Sequence, residues 1–337
     1  MRNERRRVSV MRETAVPDRV IGWLLERNQP AVRYHTLTEL LGCGPDDAEV
    51  RRARSRIGRA GWAADQLRAL GPNGFWEARK PRDIKEWFFF TYFPKFTATN
   101  WRGLVLADLG LDCSNPRVRK VATTLFDYRL RLGCPLNYFH EEVSIAGNTA
   151  RMLTRFGYGN DPRVRRLYDW LVEDQREDGG WNAEQGAPGS LEAWEALAAF
   201  ACVPKANRSP AMQRAVERGA EFYLERRLYE EAGKHDAWFR FHYPNHYFYD
   251  ILVGLDVLTQ LGYAGDRRLR PALDILREKR QSDGTWMLDA VHPDTGAKGR
   301  NLGNKKLKPL VIEPPGKASK WITLTALRVL RRVEDAE

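Results

Sequence analysis

The sequence is poor in cysteine and has no long apolar run, and both shortages exclude classes of protein. Its four cysteines, Cys43, Cys113, Cys134 and Cys202, form no Cys-x-x-Cys pair, so we expect reduced thiols rather than a disulfide framework. No stretch approaches the roughly 18 apolar residues of a membrane span. Residues 1–7 are charged and lack an apolar signal core, which predicts a cytoplasmic protein.

Acidic residues are outnumbered by basic ones. The chain has 55 Lys and Arg against 44 Asp and Glu, a net charge of +11. Such a balance attracts nucleic acid, anionic lipid or an acidic substrate. No nucleic-acid recognition motif accompanies the charge. We therefore expect a small hydrophobic or anionic substrate as the partner and no nucleic acid, while peripheral contact with a membrane stays compatible with the charge.

One segment of the chain occurs twice, 105 residues apart. It begins at Gly157 and Gly262 and ends at Trp181 and Trp286, and both copies carry an Asp followed by arginines and then a Gln before an Asp-Gly-x-Trp ending. A partial earlier copy begins at Asn115. Periodicity of this kind indicates an architecture built from one repeated supersecondary unit.

Each unit is predicted to be a pair of helices. Pro162 suits a first helical position, and Val164, Leu167 and Leu171 follow at three- and four-residue spacing, which gives one apolar stripe. The preceding segment, 145–157, is apolar around more of its circumference. We therefore expect an outer helix with one buried face and an inner helix that is buried on most sides.

The same helix-start, apolar-stripe and turn patterns predict about five helix pairs and a closing helix at 320–332. Besides the pairs that contain the two strong copies, the paired segments are 30–41 with 47–70, 97–111 with 116–132, and 190–201 with 210–227. Stacked pairs form either an open solenoid or a closed ring, and units of about 50 residues favour the ring. The predicted fold is an all-α (α/α) toroid. It is expected to be a single domain over 18–333, between tails at 1–17 and 334–337.

The ends of the two strong copies resemble a known family. Residues 175–181 read Gln-Arg-Glu-Asp-Gly-Gly-Trp and residues 281–286 read Gln-Ser-Asp-Gly-Thr-Trp. They are similar to the glutamine-tryptophan (QW) repeats of squalene-hopene cyclases and, more loosely, of protein prenyltransferase β subunits. The resemblance covers roughly 20–333 and is greatest to uncharacterised bacterial squalene-cyclase-like proteins. It implies a terpenoid-cyclase-like toroid with a central cavity, and it implies no particular reaction.

Two motifs of that family are missing. Its cyclases protonate their substrate with an Asp-x-Asp-Asp motif, whereas the nearest acidic pair here, Asp46 and Asp47, has Gly44 where the first Asp is required. Its prenyltransferases bind zinc partly through an Asp-x-Cys pair, which none of the four cysteines provides. We therefore expect neither ordinary squalene cyclisation nor a zinc site, and no metal or cofactor is predicted.

A histidine cluster in the second half of the chain is the main catalytic candidate. Pro244 suits a first helical turn, which predicts His246 and Asp250 one turn apart on one helix face, with His242 just outside. A carboxylate behind an imidazole suits proton transfer near neutral pH. The alternative is a hydrogen-bonded pair that only secures the inner helix.

Acidic residues near the starts of two other inner helices are further candidates. Glu141 and Glu142 follow His140 just before the helix that contains Asn148, and Glu192 precedes the next inner helix. In a dry cavity such carboxylates act as acid and base, whereas capping of the helix N-terminus is the alternative. The predicted catalytic residues are His246, Asp250, His242, Glu141, Glu142 and Glu192.

Aromatic side chains are expected to coat the cavity. On inner helices and their leading loops they would enclose an isoprenoid or polycyclic guest, although packing between helix layers is an equal explanation. Trp181 and Trp286 are predicted to be structural instead. The predicted substrate-binding residues are Asn148, Trp87, Tyr92, Trp101, Trp194, Trp238, Tyr243, Tyr247, Arg240, Lys317 and Lys320.

The segment 288–315 interrupts the repeat. It is rich in glycine and lysine and is too long for a simple connection, so it is predicted to be a lid-like insertion or a loose basic loop. Its cations, together with Lys317 and Lys320, suit an anionic group of a substrate.

Three functional hypotheses follow. The first is a terpenoid-cyclase-like or prenyltransferase-like enzyme of the cyclase or isomerase type, which acts on an isoprenoid or other hydrophobic substrate by acid-base chemistry in the cavity. The second is a lyase of acidic polysaccharides, because such enzymes also use α/α toroids with Asn, His, Tyr and Arg, here Asn148, His246, Tyr247 and Arg240. The third is a toroid that only binds a ligand or a protein. The resemblance favours the first.

Overall fold

A computed structural model describes residues 16–93, 97–127, 142–231, 235–246, 248–292, 295 and 310–337. Its α-helices are, in chain order, α1 (Asp18–Leu24), α2 (Pro30–His35), α3 (Ala48–Arg56), α4 (Gly61–Ala69), α5 (Ile84–Tyr92), α6 (Thr99–Asp108), α7 (Pro116–Phe126), α8 (Val143–Leu153), α9 (Pro162–Glu173), α10 (Glu195–Ala201), α11 (Pro210–Glu225), α12 (Ile251–Leu261), α13 (Arg270–Glu278) and α14 (Lys320–Glu334). Short π-helical turns, Thr36–Leu40 and Thr154–Tyr158, extend α2 and α8.

The helices alternate between an inner and an outer layer, and burial distinguishes the layers. Every residue of the inner helix α8 is buried. In the outer helix α9 the buried residues are Val164, Leu167, Tyr168 and Leu171, which includes the predicted apolar stripe. An outer helix therefore covers the ring with one face and leaves the other to solvent.

Outer helices begin with a recurring cap. An Asp or Asn side chain accepts a hydrogen bond from the backbone N–H two residues later, which satisfies one of the free donors at the helix start. The same bond begins the turn Arg267–Leu269 that leads into α13. The four caps are Asp47, Asn115, Asp161 and Asp266.

Three buried tryptophans tie outer helices to the next unit. The indole N–H of Trp181 donates to the carbonyl of Leu171 in α9 at 2.8 Å, while its ring packs on Phe200 of α10. The indole of Trp286 donates at 2.8 Å to a carbonyl of α13. Trp76, a further 105 residues before Trp181, makes the equivalent bond at 3.1 Å to the carbonyl of Gln66 in α4. The repeat therefore has a third copy of this turn.

The inner layer closes on itself. Along the chain, α6, α8, α10, α12 and α14 each pack against the next, and α14 also packs against α1 and α2. A bond of 3.1 Å between the ring of His35 and the carbonyl of Asp108 joins α2 to α6. With α3 and α4 serving as the outer partners of α2, the described residues confirm an all-α toroid of five helix pairs and a closing helix.

Other parts of the chain lie outside this pattern. The aromatic tract near Trp87 forms the extra helix α5, and a short antiparallel ribbon pairs β1 (Met287–Leu288) with β2 (Lys317–Ala318). Most of the predicted lid, 296–309, falls outside the described residues, as do 1–15 of the predicted tail. Within the described ranges, no helix combines the length and apolarity needed to cross a membrane.

Candidate functional site

A cavity of about 320 Å³ lies between the inner helices. This volume is at the lower end of the range of ligand pockets, so it suits one small molecule. Each of the six inner helices, or a residue directly flanking it, contributes to the wall. Examples from α2, α6, α8, α10, α12 and α14 are Tyr34, Asp108, Arg151, Ala198, Val253 and Trp321.

One part of the wall is charged. Arg155 pairs with Asp108, and Arg328 pairs with Asp256 of α12, its Nε lying 2.8 Å from the carboxylate. Arg328 also reaches Glu39 at 3.3 Å, which links the last helix of the chain to the first inner unit. The apolar lining expected from the sequence is therefore not what surrounds this cavity.

These pairs keep the carboxyl groups ionised. Burial alone would raise the pKa of Glu39, but the ring of His35 at 2.6 Å and the charge of Arg328 outweigh burial and hold this pKa well below its usual range. Burial likewise opposes ionisation of Asp256, and Arg328 and Arg332 lower its pKa despite it. Neither carboxyl group is therefore a proton donor at neutral pH.

The predicted helical pairing of His246 with Asp250 is wrong. Helix α12 begins only at Ile251, and the described residues between His242 and Asp250 are not helical. Asp250 is the N-cap residue, which accepts from the backbone N–H of Val253 at 2.9 Å and from that of His242 at 2.8 Å. The imidazole beside it belongs to His242, whose Nδ1 lies 3.5 Å from Oδ2 of Asp250.

His246 is buried elsewhere. Its ring lies 5.3 Å from the ring of Trp101, and its backbone carbonyl accepts from the amide of Asn148 at 2.9 Å. Burial, together with the charge of Arg151, lowers the pKa of His246 well below its usual value, so the ring is neutral. His246, Trp101 and Asn148 are not among the residues that line the cavity, whereas His242 and Asp250 are.

Two of the predicted aromatic residues, Trp194 and Tyr243, line the cavity. Trp194 directly precedes α10, and Tyr243 stacks on Trp321 with ring centroids 4.8 Å apart. Trp87, Tyr92, Trp101 and Trp238 are buried but are not among the lining residues. The indole groups of Trp87 and Trp101, for example, donate to the carbonyls of Thr124 and Tyr92, as packing between layers requires.

The other predicted residues lie away from this wall. Glu142 accepts from the hydroxyl of Ser144 at 2.7 Å at the start of α8. Glu192 is exposed and accepts from the indole of Trp238 at 3.4 Å. Arg240 and Lys317 are exposed. Glu141 and Tyr247 lie outside the described residues.

Lys320 holds the ring closed instead of facing the cavity. Its ammonium group donates to Glu26 at 2.9 Å and to the carbonyl of Trp23, and it lies 4.7 Å from the centroid of the Trp23 ring. These contacts join the start of α14 to α1. The predicted anion contact through Lys320 is therefore replaced by an ion pair between the two ends of the described fold.

Arg151 is a further residue of the cavity wall that is not among the predicted site residues. This residue lies on α8, is only 7% exposed and lines the cavity. Its guanidinium lies 5.0 Å from the centroid of the Trp194 ring. A signal was present, since Arg151 is the one basic residue in an inner segment, 143–153, that is otherwise apolar or small and polar. Burying a charged side chain in such a segment is energetically unfavourable, so its presence there marks it as a candidate binding group.

Comparison with known proteins adds a likeness in fold. No protein-family model and no curated protein matches the chain. Among solved structures, the chain is similar to a variant of the type II terpene cyclase MstE from Scytonema in complex with its substrate, geranylgeranyl dihydroxybenzoate. The match covers 92% of this chain and 88% of that chain, at 16% identity and a TM-score of 0.44. It concerns the arrangement of helices and carries no argument about the reaction.

Proposed function

We propose that this protein is an enzyme that acts on one small organic substrate in the central cavity by acid-base chemistry. His242 is the proton-transfer group and Asp250 is the carboxylate behind it. The observation that carries the proposal is that this pair lines the same cavity as four aromatic rings and an arginine, Arg151, that has no ion-pair partner among the described residues.

The His242–Asp250 pair has the composition that proton transfer needs. A carboxylate near one ring nitrogen favours one tautomer and stabilises the imidazolium that forms when the ring accepts a proton. The separation of 3.5 Å is long for a hydrogen bond, but catalytic contacts are often long before substrate binds. Hydrogen bonds from the backbone N–H groups of His242 and Val253 fix the Asp250 carboxylate in position beside the His242 ring.

The wall also indicates what kind of substrate fits. Tyr34, Trp194, Tyr243 and Trp321 offer aromatic faces, and ion pairs make up another part of the lining. A substrate with a hydrophobic body and a polar head group satisfies both parts. A short isoprenoid or a similar hydrophobic molecule with such a head fits this description, in keeping with the terpenoid-cyclase-like hypothesis.

The polysaccharide lyase hypothesis finds less support. It needs Asn148, His246 and Arg240 in one open cleft. Asn148 and His246 are buried and bonded to each other, whereas Arg240 is exposed at the surface. A polymer chain also needs a groove that extends beyond one small cavity.

The proposal is tested in two stages. Native mass spectrometry of freshly purified protein identifies any small molecule that stays bound. Wild-type protein is then incubated with a cell metabolite extract that contains that molecule's chemical class, and liquid chromatography with mass spectrometry records which compounds are consumed and formed.

Three variants make the second stage specific. We expect His242→Gln to lower turnover at least about 100-fold, in the range typical of a lost general base, while its melting temperature stays near that of the wild type. Asp250→Asn should lower turnover as well, with some loss of stability because of its capping role. His235→Gln, an exposed histidine outside the cavity, is the matched control. Equal turnover in His242→Gln and His235→Gln would contradict the proposal.

A further inference from the structure

Arg151 differs from the other arginines on the cavity wall. Arg155, Arg328 and Arg332 each pair with a carboxylate, and Arg54 pairs with Asp112 at 2.6 Å. Among the described residues, no carboxylate lies within ion-pair distance of Arg151. Its Nε is buried and has no hydrogen-bond partner there. One cation of this wall therefore has no ion-pair partner in the described part of the chain.

An uncompensated cation at this depth is unfavourable. Burial lowers the pKa of Arg151, and the more distant Asp108 and Glu195 carboxylates offset this only in part. Removing a charge from water without a partner is strongly unfavourable. A bound anion would supply the missing partner.

Two further donors lie on the same wall. The hydroxyl of Tyr243 and the indole nitrogen of Trp194 are both buried, and neither has a hydrogen-bond partner in the described part of the chain. Burial raises the pKa of Tyr243 well above its usual value, and the charge of Arg151 is close enough to act on it. The hydroxyl therefore keeps its proton and remains a donor.

We infer that Arg151, Tyr243 and Trp194 form a binding site for a carboxylate group of the ligand that occupies the cavity. Each of the three side chains offers a donor in need of an acceptor: a guanidinium, a hydroxyl and an indole N–H. A single unpaired cation matches a single negative charge, which favours a carboxylate over a phosphate dianion. The inference rests on the proposed function only in taking this cavity as the ligand site.

The test compares two ligands that differ in one charge. The probes are 4-phenylbutyrate and 4-phenylbutanamide, which share a hydrophobic body and differ in carboxylate against amide. Isothermal titration calorimetry measures both affinities. We expect wild-type protein to bind the carboxylate at least about tenfold more tightly, as hydrogen bonds to a charged group allow.

Variants then locate the preference. Arg151→Gln should abolish it, Arg151→Lys should restore part of it, and Tyr243→Phe and Trp194→Phe should each weaken carboxylate binding severalfold with little effect on the amide. Arg163→Gln, which changes a paired arginine on the outer helix α9, is the matched control. Melting curves accompany every variant, and if Arg151→Gln fails to fold, the Tyr243 and Trp194 variants decide the question.

Three results would overturn the inference. The first is equal binding of the carboxylate and the amide by wild-type protein. The second is no binding of either probe at concentrations up to about 1 mM, the weakest affinity of interest here. The third is an undiminished preference for the carboxylate in the Arg151, Tyr243 and Trp194 variants. Turnover and ligand binding are measured separately, so this inference and the proposed function can fail independently. A carboxylate preference without any turnover contradicts the function alone, whereas turnover of neutral substrates without that preference contradicts the carboxylate site alone.

Discussion

Replacing Asp256 with asparagine tests whether ion pairs hold the ring closed. Asp256 lies on α12 and receives Arg328 at 2.8 Å and Arg332 at 2.9 Å, both from α14, with only 16% of its side chain exposed. Breaking a buried pair from one side costs about 3–5 kcal/mol. Since Arg328 keeps its contact with Glu39, we expect Asp256→Asn to lower the free energy of unfolding by about 2–3 kcal/mol, which is less than the full loss of a buried pair.

The assay is equilibrium urea unfolding at pH 7, followed by circular dichroism. The control is Asp274→Asn, which breaks the pair with Arg277 on the outer helix α13, where Asp274 is 63% exposed. An exposed pair of this kind contributes less than about 0.5 kcal/mol. If Asp256→Asn cost no more than Asp274→Asn, the ion pairs would have no part in closing the ring.

The pH dependence of the free energy of unfolding is a second test of the same ion pairs. The pKa of Asp256 is lowered in the folded state, so near pH 4 the unfolded chain binds a proton that the folded protein does not. The stability that Asp256 contributes is therefore present above its unfolded pKa of about 3.9 and is lost as the pH falls through the folded value. We expect the difference between wild type and Asp256→Asn to be constant from about pH 7 to 5 and to shrink below about pH 4. A difference that grew on acidification would refute this reasoning.

Two further predictions concern the turns. Gly179→Ala should lower the free energy of unfolding by about 3 kcal/mol, because φ is +89° and the new Cβ would lie 2.6 Å from the carbonyl oxygen of Arg218. Gly186 also has a positive φ, +76°, but open space surrounds it, so Gly186→Ala should lower the free energy of unfolding by about 1 kcal/mol. Urea unfolding compares the two, and equal losses would contradict the steric argument. Trp181→Phe should lower stability by about 2–3 kcal/mol, since it leaves the buried carbonyl of Leu171 unpaired and opens space behind the ring. Calorimetric melting measures this loss, and an unchanged melting temperature would mean that the turn does not tie the units together.

The fold was predictable from the sequence because its signals are local and repeated. Asp161 and Pro162 mark a helix start, the stripe through Leu167 marks an outer face, and Trp181 ends the unit. Each signal acts within about 20 residues and recurs, so one unit confirms another. The third copy of the turn, at Trp76, is visible in the same spacing although its flanking residues differ.

The site was less predictable because its partners come from distant units. Arg328 and Asp256 are 72 positions apart in sequence, and no periodic pattern connects them. The error at Asp250 has a local cause. Pro244 suggests a helix start, but Asp250 is the better cap because its carboxylate accepts from the backbone N–H of Val253, so the helix begins seven residues later, at Ile251.

The contact of α14 with α1 and α2 also limits how this architecture can change. In a linear array of repeats, a unit can be gained or lost at either end, since each unit depends only on its neighbours. Here every inner helix has a neighbour on both sides. Deleting one hairpin would leave a gap, and the ring could close again only if the remaining five inner helices rearranged into a narrower ring. Related chains should therefore vary in the length of their connecting loops while keeping the same number of hairpins.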